Sequence, residues 1–136
     1  MRSAQLRLRG VPGARLAWPA HGTGPRPAAL VLLVDAREPD AAGHGERVAR
    51  RLGVLVLAAP CRDADDGLRA LEWMADHGEQ LGADPDQLLL AGVPLAAAVA
   101  ARARENGWPA FTRVIDLESL TRGRARRRAA AARTGS

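Results

Sequence analysis

The sequence predicts an α/β protein whose mostly parallel sheet carries helices on both faces. Three short apolar runs show no polar alternation, which is typical of strands covered on both faces: residues 28–34, 54–58 and 88–91. The segments that follow these runs have helical periodicity and end at glycine or proline. Strands that alternate with helices form βαβ units, and right-handed crossovers place the helices on both faces.

An antiparallel hairpin is predicted ahead of the parallel strands. Residues 5–11 alternate leucine with arginine at a period of two, as in a half-buried strand. Val11, Pro12 and Gly13 form a turn signal, and residues 15–18 provide a second strand. Residues 19–27 are rich in proline and glycine and predict a loop. The expected sheet is therefore mixed.

Three helices and a fourth parallel strand complete the prediction. Helices are expected at residues 41–52, 67–80 and 95–105, ended by Gly53, Gly82 and Gly107 respectively. Pro60, Cys61 and Arg62 are expected to break the second apolar strand. The fourth parallel strand is the segment that begins with Phe111 and ends with Ile115.

Length and charge indicate one domain, residues 1–120, followed by a tail. The 136 residues are 47% apolar, enough for a core, yet only 3% aromatic. Residues 121–136 hold six arginines and no acid, which leaves 14 basic and 15 acidic residues in the rest of the chain. This arginine-rich tail is predicted to be disordered.

Composition also limits the cellular setting that we expect. Cys61 is the only cysteine, so no internal disulfide is possible, and a reducing cytoplasm fits. The N-terminus lacks a signal-peptide pattern, and no apolar run reaches the roughly 20 residues of a membrane span. We therefore expect a soluble cytoplasmic protein without membrane attachment.

One stretch carries a family resemblance. It contains Ala70-Leu71-Glu72-Trp73, then residues 81–87 (LGADPDQ), then Leu90-Ala91-Gly92. This segment resembles part of the N-terminal half of α/β-hydrolases, and most of all that of bacterial carboxylesterases related to hormone-sensitive lipase. In that family it leads into a G-D-S-A-G-G nucleophile elbow. The resemblance implies a truncated, esterase-like three-layer α/β/α sandwich.

The elbow itself is degenerate in this chain. The family needs a serine on a tight turn between strand and helix, flanked by small residues. Gly92 matches the first glycine, but Val93, Pro94 and Leu95 follow it. Proline offers no nucleophile, although it suits the first position of a helix. No serine therefore stands where the resemblance would place one.

The other catalytic parts are also missing. The HGGG oxyanion motif is replaced by Asp35-Ala36-Arg37-Glu38, whose carboxylates would repel a developing oxyanion. No histidine follows His77, so the triad histidine expected after the elbow is absent. The sequence predicts a catalytically inactive hydrolase-like remnant that acts, if at all, as a scaffold or partner subunit. The sequence is also compatible with a frameshifted or truncated gene product.

Two other residues are candidate nucleophiles. Cys61 lies near the carboxyl end of a strand, with His21 or His44 as a conceivable base, and would make the chain a residual carboxylic-ester hydrolase. A reactive cysteine needs a lowered pKa, however, and nothing nearby in the sequence supplies one. Ser119 lacks elbow glycines and suits a turn or cap.

No cofactor or metal site is predicted. Asp63, Asp65 and Asp66 lack the spacing of a calcium loop and suit a helix N-terminus, and His44 and His77 are solitary. The tail could bind nucleic acid through phosphates, as a binding module, but it has no aromatic residue for stacking. We instead expect self-association, or pairing with a protein partner, at the edge strand between Phe111 and Ile115.

Overall fold

The protein is described from a computed structural model, which covers residues 2–5, 11, 13–19, 26–37, 40–92, 95–107 and 113–114. These residues form nine elements in chain order: β1 (Arg2–Gln5), β2 (Arg15–Trp18), β3 (Ala29–Asp35), α1 (Ala41–Leu52), β4 (Leu55–Cys61), α2 (Ala64–His77), β5 (Leu88–Ala91), α3 (Leu95–Glu105) and β6 (Arg113–Val114).

The six strands form one mixed sheet in the order β1-β2-β4-β3-β5-β6. Strands β3, β4, β5 and β6 run parallel, whereas β1 and β2 are antiparallel to each other and β2 is antiparallel to β4. The predicted mixed, mostly parallel sheet is confirmed.

Helices cover both faces of this sheet, as the apolar runs predicted. On one face, Val48 and Ala49 of α1 pack against β-strand residues such as Leu30 and Val56. On the other face, α2 and α3 pack together over the opposite side chains of the same strands. Strands β3 and β4 lie between these layers, which explains why their sequences are almost uninterruptedly apolar.

An antiparallel hairpin precedes the parallel strands, as predicted, and its described first strand is β1 (Arg2–Gln5). Strand β1 pairs Arg2 with Trp18 and Gln5 with Arg15. The strand predicted for residues 5–11 falls mostly outside the described residues, since only its two ends are described. Strand β2 has the predicted bounds.

Strand β4 continues through Pro60 to Cys61, so the predicted break at residues 60–62 is wrong. The pairing between β2 and β4 ends at Arg15 and Ala58. The pairing between β3 and β4 extends two residues past Ala59, with Val34 opposite Pro60 and Asp35 opposite Cys61. Beyond Ala58 the described strand ladders therefore give β4 a neighbour on one side only. Proline is tolerated in such an edge-like position.

Helix α2 begins and ends three residues earlier than predicted. The Asp63 side chain accepts the backbone N–H of Asp66 at 3.1 Å and caps the helix, so Asp65 and Asp66 lie within its first turn. The helix ends at His77, and Gly82 lies in the turns that follow rather than at the helix end. The aspartates were thus correctly predicted to lie at the helix N-terminus. The predicted start of the helix was one turn too late, so Asp65 and Asp66 lie inside the helix rather than before it.

The remaining predictions agree closely with the structure. Helices α1 and α3 and strand β5 have the expected bounds, and Gly53 ends α1 in the left-handed conformation. Strand β6 confirms the fourth parallel strand at its two described residues. The predicted tail, residues 121–136, lies outside the described residues.

Candidate functional site

The turn between β5 and α3 is the position at which an elbow nucleophile would stand. Strand β5 ends at Ala91 and α3 begins at Leu95, so three residues make the connection. Gly92 has a φ of +123°, and a Cβ built on it would collide with the carbonyl oxygen of Leu33. Glycine is therefore required by the close approach of this turn to β3. Val93 and Pro94 lie outside the described residues.

The turn after β3 occupies the place expected for oxyanion donors. The N–H of Arg37 donates to Oδ1 of Asp35 at 2.8 Å, and the N–H of Ala36 donates to the carbonyl oxygen of Cys61 at 3.1 Å. Both backbone donors are therefore already used within the protein. An oxyanion hole needs such groups preorganised and available, and these two are not.

Cys61 lies at the last position of β4 and is only 3% exposed. Its Sγ donates to the carbonyl oxygen of Ala59 at 3.2 Å. Burial, followed by the negative charges of Asp66 and Asp63, raises the pKa of the Cys61 thiol from 9.0 to about 12. The thiol is therefore protonated at neutral pH, and the nucleophilic thiolate is scarce.

Asp66 is the residue that sequence reasoning undervalued. Its side chain is 2% exposed, and Oδ2 accepts both the backbone N–H of Arg62 at 3.0 Å and Nε of Arg62 at 3.1 Å. Oδ1 accepts Nη1 of Arg69 at 3.2 Å. Burial alone would raise the pKa of this carboxyl, but the Arg62 hydrogen bonds and the charges of Arg62 and Arg69 outweigh it and lower the pKa. The spacing of the two arginines, at i−4 and i+3, was the available signal.

The described histidines are not brought to Cys61. His77 stacks on Trp73 with ring centroids 4.5 Å apart, and its Nδ1 lies 2.8 Å from the Trp73 carbonyl oxygen. His44 belongs to α1, which covers the sheet face opposite the one on which Cys61 packs. His21 and Ser119 lie outside the described residues.

The three aspartates near α2 are each engaged by protein groups. Asp63 caps the helix, Asp65 pairs with Arg102 of α3, and Asp66 pairs with two arginines. Among the described residues, no group of three or more His, Cys, Asp or Glu side chains is arranged to hold a metal ion. Helix capping and packing of α2 on α3 account for these acids.

An open cavity of about 430 Å³ lies over the carboxyl ends of β3 and β4 and the start of α3. Buried or half-buried apolar side chains line it, among them Leu33, Val34 and Leu95. Asp35 and Arg37 also line it. Ligands of α/β proteins bind at the carboxyl ends of parallel strands.

Solved structures, esterases among them, share this architecture. The structure of DphMB1 is 26% identical with a TM-score of 0.67, over 79% of this chain and 41% of its own. The hyperthermophilic esterase of the archaeon Pyrobaculum calidifontis is 24% identical with a TM-score of 0.65, over 82% of this chain and 42% of its own. The chain has a truncated α/β-hydrolase-like fold. A bacterial heroin esterase, 26% identical with a TM-score of 0.59, matches 78% of this chain and 40% of its own.

The resemblance to carboxylesterases of the α/β-hydrolase type is thus confirmed at the level of fold. The chain spans about 40% of the length of these solved chains. No protein-family model matches the sequence. The search of curated proteins likewise gives no match. None of the described helices has the length and apolar character that crossing a bilayer requires.

Proposed function

We propose that this chain is a catalytically inactive α/β-hydrolase-fold protein that serves as a scaffold or partner subunit. The fold provides a strand-to-helix turn, a neighbouring turn after β3 and a cavity between them. The chemistry that an esterase needs at these places is not supplied by the residues that occupy them.

The observation that carries this proposal is the short connection between β5 and α3. A nucleophile elbow presents its serine on this turn. With the strand ending at Ala91 and the helix beginning at Leu95, the turn has room only for Gly92, Val93 and Pro94. None of the three carries a hydroxyl or thiol.

Two further observations support inactivity. The described N–H groups of the turn after β3 are bonded internally, so they give no stabilisation to a tetrahedral oxyanion. The raised pKa of Cys61 removes the substitute nucleophile at neutral pH, and no described histidine packs beside it as a base. A residual esterase that uses Cys61 is therefore the weaker alternative.

An esterase assay on the full chain tests the proposal. The elbow turn holds no nucleophile, and the described residues offer neither free oxyanion donors nor a histidine beside Cys61. We therefore expect p-nitrophenyl acetate to be hydrolysed no faster than in a control solution of an unrelated, inactive protein. Cys61→Ala is the matched variant and should give the same rate. Turnover that survives purification and disappears in Cys61→Ala would overturn the proposal in favour of the residual esterase.

A partner role is favoured by one specific feature, the position of β6. This strand ends the sheet order, and Val114 within it is 43% exposed, the highest exposure of a large apolar side chain among the described residues. An edge strand with exposed backbone groups is a template for pairing with another chain. We infer that a second copy of this chain is the simplest occupant of that edge.

A further inference from the structure

We propose that residues 115–120 fold over the sheet face that carries α1 and cover β5 and β3 beside that helix. The inference goes beyond the proposed function and does not depend on the lack of activity. It starts from apolar side chains whose burial the described helices do not explain.

Strands β3 and β5 carry apolar side chains on the α1-side face, which is the sheet face on which α1 packs. Leu30 lies opposite Leu89, and Leu32 lies opposite Ala91. Leu30, Leu32 and Ala91 are 0%, 1% and 0% exposed, and Leu89 is half-buried. Other atoms of the chain therefore lie over these side chains.

Helix α1 lies too far from β5 to cover it. Of the described helices, α1 packs on this face, and its contacts are mainly with β4 and β2. The sheet order β2-β4-β3-β5 places β5 about 12 Å from the midline between β2 and β4, at a strand spacing of about 4.8 Å. The radius of a helix with its side chains is about 5–6 Å. Because α2 and α3 pack on the opposite face, we assign the cover over β5 to another segment.

The register of β6 brings the chain after Val114 next to the buried side chains. Val114 pairs with Leu90 in a parallel ladder, so the next residue along the chain comes level with Ala91. Leu90 belongs to the face that α2 and α3 cover. Because side chains alternate between the two faces, a strand continued by one residue directs Ile115 to the α1-side face. The chain thus leaves β6 one strand away from Ala91.

Composition singles out the first six residues after β6. Ile115, Leu117 and Leu120 are large apolar residues, whereas residues 121–136 contain no Leu, Ile, Val, Met or aromatic residue. An extended chain advances about 3.3 Å per residue, so six residues are more than enough for the roughly 10 Å from β6 to β3. Residues 115–120 therefore have both the reach and the side chains that the cover requires.

The other segments outside the described residues are less suitable. Residues 20–25 and 108–112 lead into the amino ends of β3 and β6, whereas Ala91 is the last residue of β5. The two-residue connections before α1 and α3 extend at most about 7 Å, and the segment between β1 and β2 belongs to the far end of the sheet. Position and length thus both favour residues 115–120.

This arrangement leaves the outer edge of β6 open. The backbone groups of β6 that face away from β5 stay available for pairing with a second copy of the chain. The arginine-rich tail then departs from the α1-side face. Its six arginines would otherwise bring like charges together where two β6 edges meet.

The test is a cysteine cross-link between β5 and the proposed cover. In a Cys61→Ala background, Leu89→Cys and Leu117→Cys are combined and treated with a short bismaleimide. We expect a cross-link within one chain, read as a shifted monomer band and located by mass spectrometry of the linked peptides. The matched control combines Leu117→Cys with Asp76→Cys, which is exposed on α2 at the opposite face, and it should remain unlinked.

Three outcomes of the cross-linking would overturn the proposal. Linked dimers without linked monomers would assign the cover to a second copy of the chain. Absence of any link would remove residues 115–120 from this face. Equal linking in the control would show that the segment has no fixed position.

A second measurement follows the apolar face itself. Leu117→Asp combined with Leu120→Asp should uncover the face, so the fluorescence of the dye ANS should rise several-fold and the urea midpoint should fall. Ala130→Asp combined with Ala131→Asp adds the same two charges in the tail and should behave as the wild type. Wild-type ANS fluorescence and urea midpoint in the leucine double variant would refute the cover. If that variant does not fold, the cross-link, which keeps Leu120, still decides.

Discussion

Asp66 is the clearest case in which one side chain joins several parts of the fold. Its carboxylate is buried at the start of α2 and ties the end of β4, through Arg62, to the helix surface, through Arg69. A buried carboxylate without such partners would be costly, so this group depends on its arginines.

We expect Asp66→Asn to destabilise the protein by about 2 kcal/mol, because the hydrogen bonds to charged arginines are weakened. Urea unfolding followed by tryptophan fluorescence measures this. The matched control is Asp65→Asn in the same helical turn, whose pair with Arg102 is half-exposed on both sides. It should cost well under about 1 kcal/mol. Equal losses in the two variants would contradict the structural role of Asp66.

The lowered pKa of Asp66 also predicts how the stability difference between the wild type and Asp66→Asn changes with pH. The pKa of Asp66 is lowered in the folded state, so its contribution is complete above the unfolded carboxyl pKa of about 3.9. The contribution is lost as the pH falls through the lower folded value. The difference in unfolding free energy between wild type and Asp66→Asn should be constant near neutral pH and shrink under acid conditions. A difference that persists unchanged in acid would refute this account.

At the scale of elements, the turn from β5 into α3 depends on one glycine. Gly92 combines a φ of +123° with a backbone approach to Leu33 that leaves no room for a Cβ. Gly92→Ala should therefore cost at least about 3 kcal/mol, from strain and collision together.

Gly82→Ala is the control that separates strain from collision. Gly82 has a φ of +98°, but nothing lies within 4 Å of a Cβ built there. Its substitution should cost about 1–2 kcal/mol, from backbone strain alone. Urea unfolding of both variants checks the comparison. Equal losses would mean that the approach of Leu33 to Gly92 does not constrain the turn.

Elements whose signals are local were predictable from the sequence. Apolar runs and glycine stops defined α1, β5 and α3, because propensity, periodicity and termination agree there. The predicted break of β4 at Pro60 was wrong because the pairing with β2 ends before Pro60, so the missing N–H of proline is tolerated there. Which strand lies beside β4, and where it ends, depends on tertiary pairing that local sequence does not show. The start of α2 was misplaced because three acids within four residues, Asp63, Asp65 and Asp66, left the capping residue ambiguous.

The candidate site was predictable in what it lacks more than in what it holds. The absence of the elbow serine and of a histidine after His77 can be seen directly in the sequence, because each catalytic role requires a particular residue type at a particular position. The internal bonding of the Ala36 and Arg37 N–H groups and the burial of Cys61 require three-dimensional contacts between β3 and β4. Sequence spacing carries no information about these.

At the scale of the whole molecule, β6 forms one end of the described sheet. Strand β6 contributes two described residues, and Val114 among them is 43% exposed. Backbone groups on the outer side of such a strand can extend the sheet into a second molecule. We therefore predict that the protein self-associates through β6, and that size-exclusion chromatography with light scattering gives a mass above that of one 14.4 kDa chain.

Val114→Lys should shift this equilibrium toward the monomer. In a symmetric pairing of two β6 strands it brings like charges together and removes an apolar contact, and lysine is a residue that natural edges use against pairing. Ala97→Lys, on the exposed side of α3, adds the same charge away from the edge and should leave the mass unchanged. A monomeric wild-type chain, or a Val114→Lys variant that associates as the wild type does, would show that the β6 edge is not the interface.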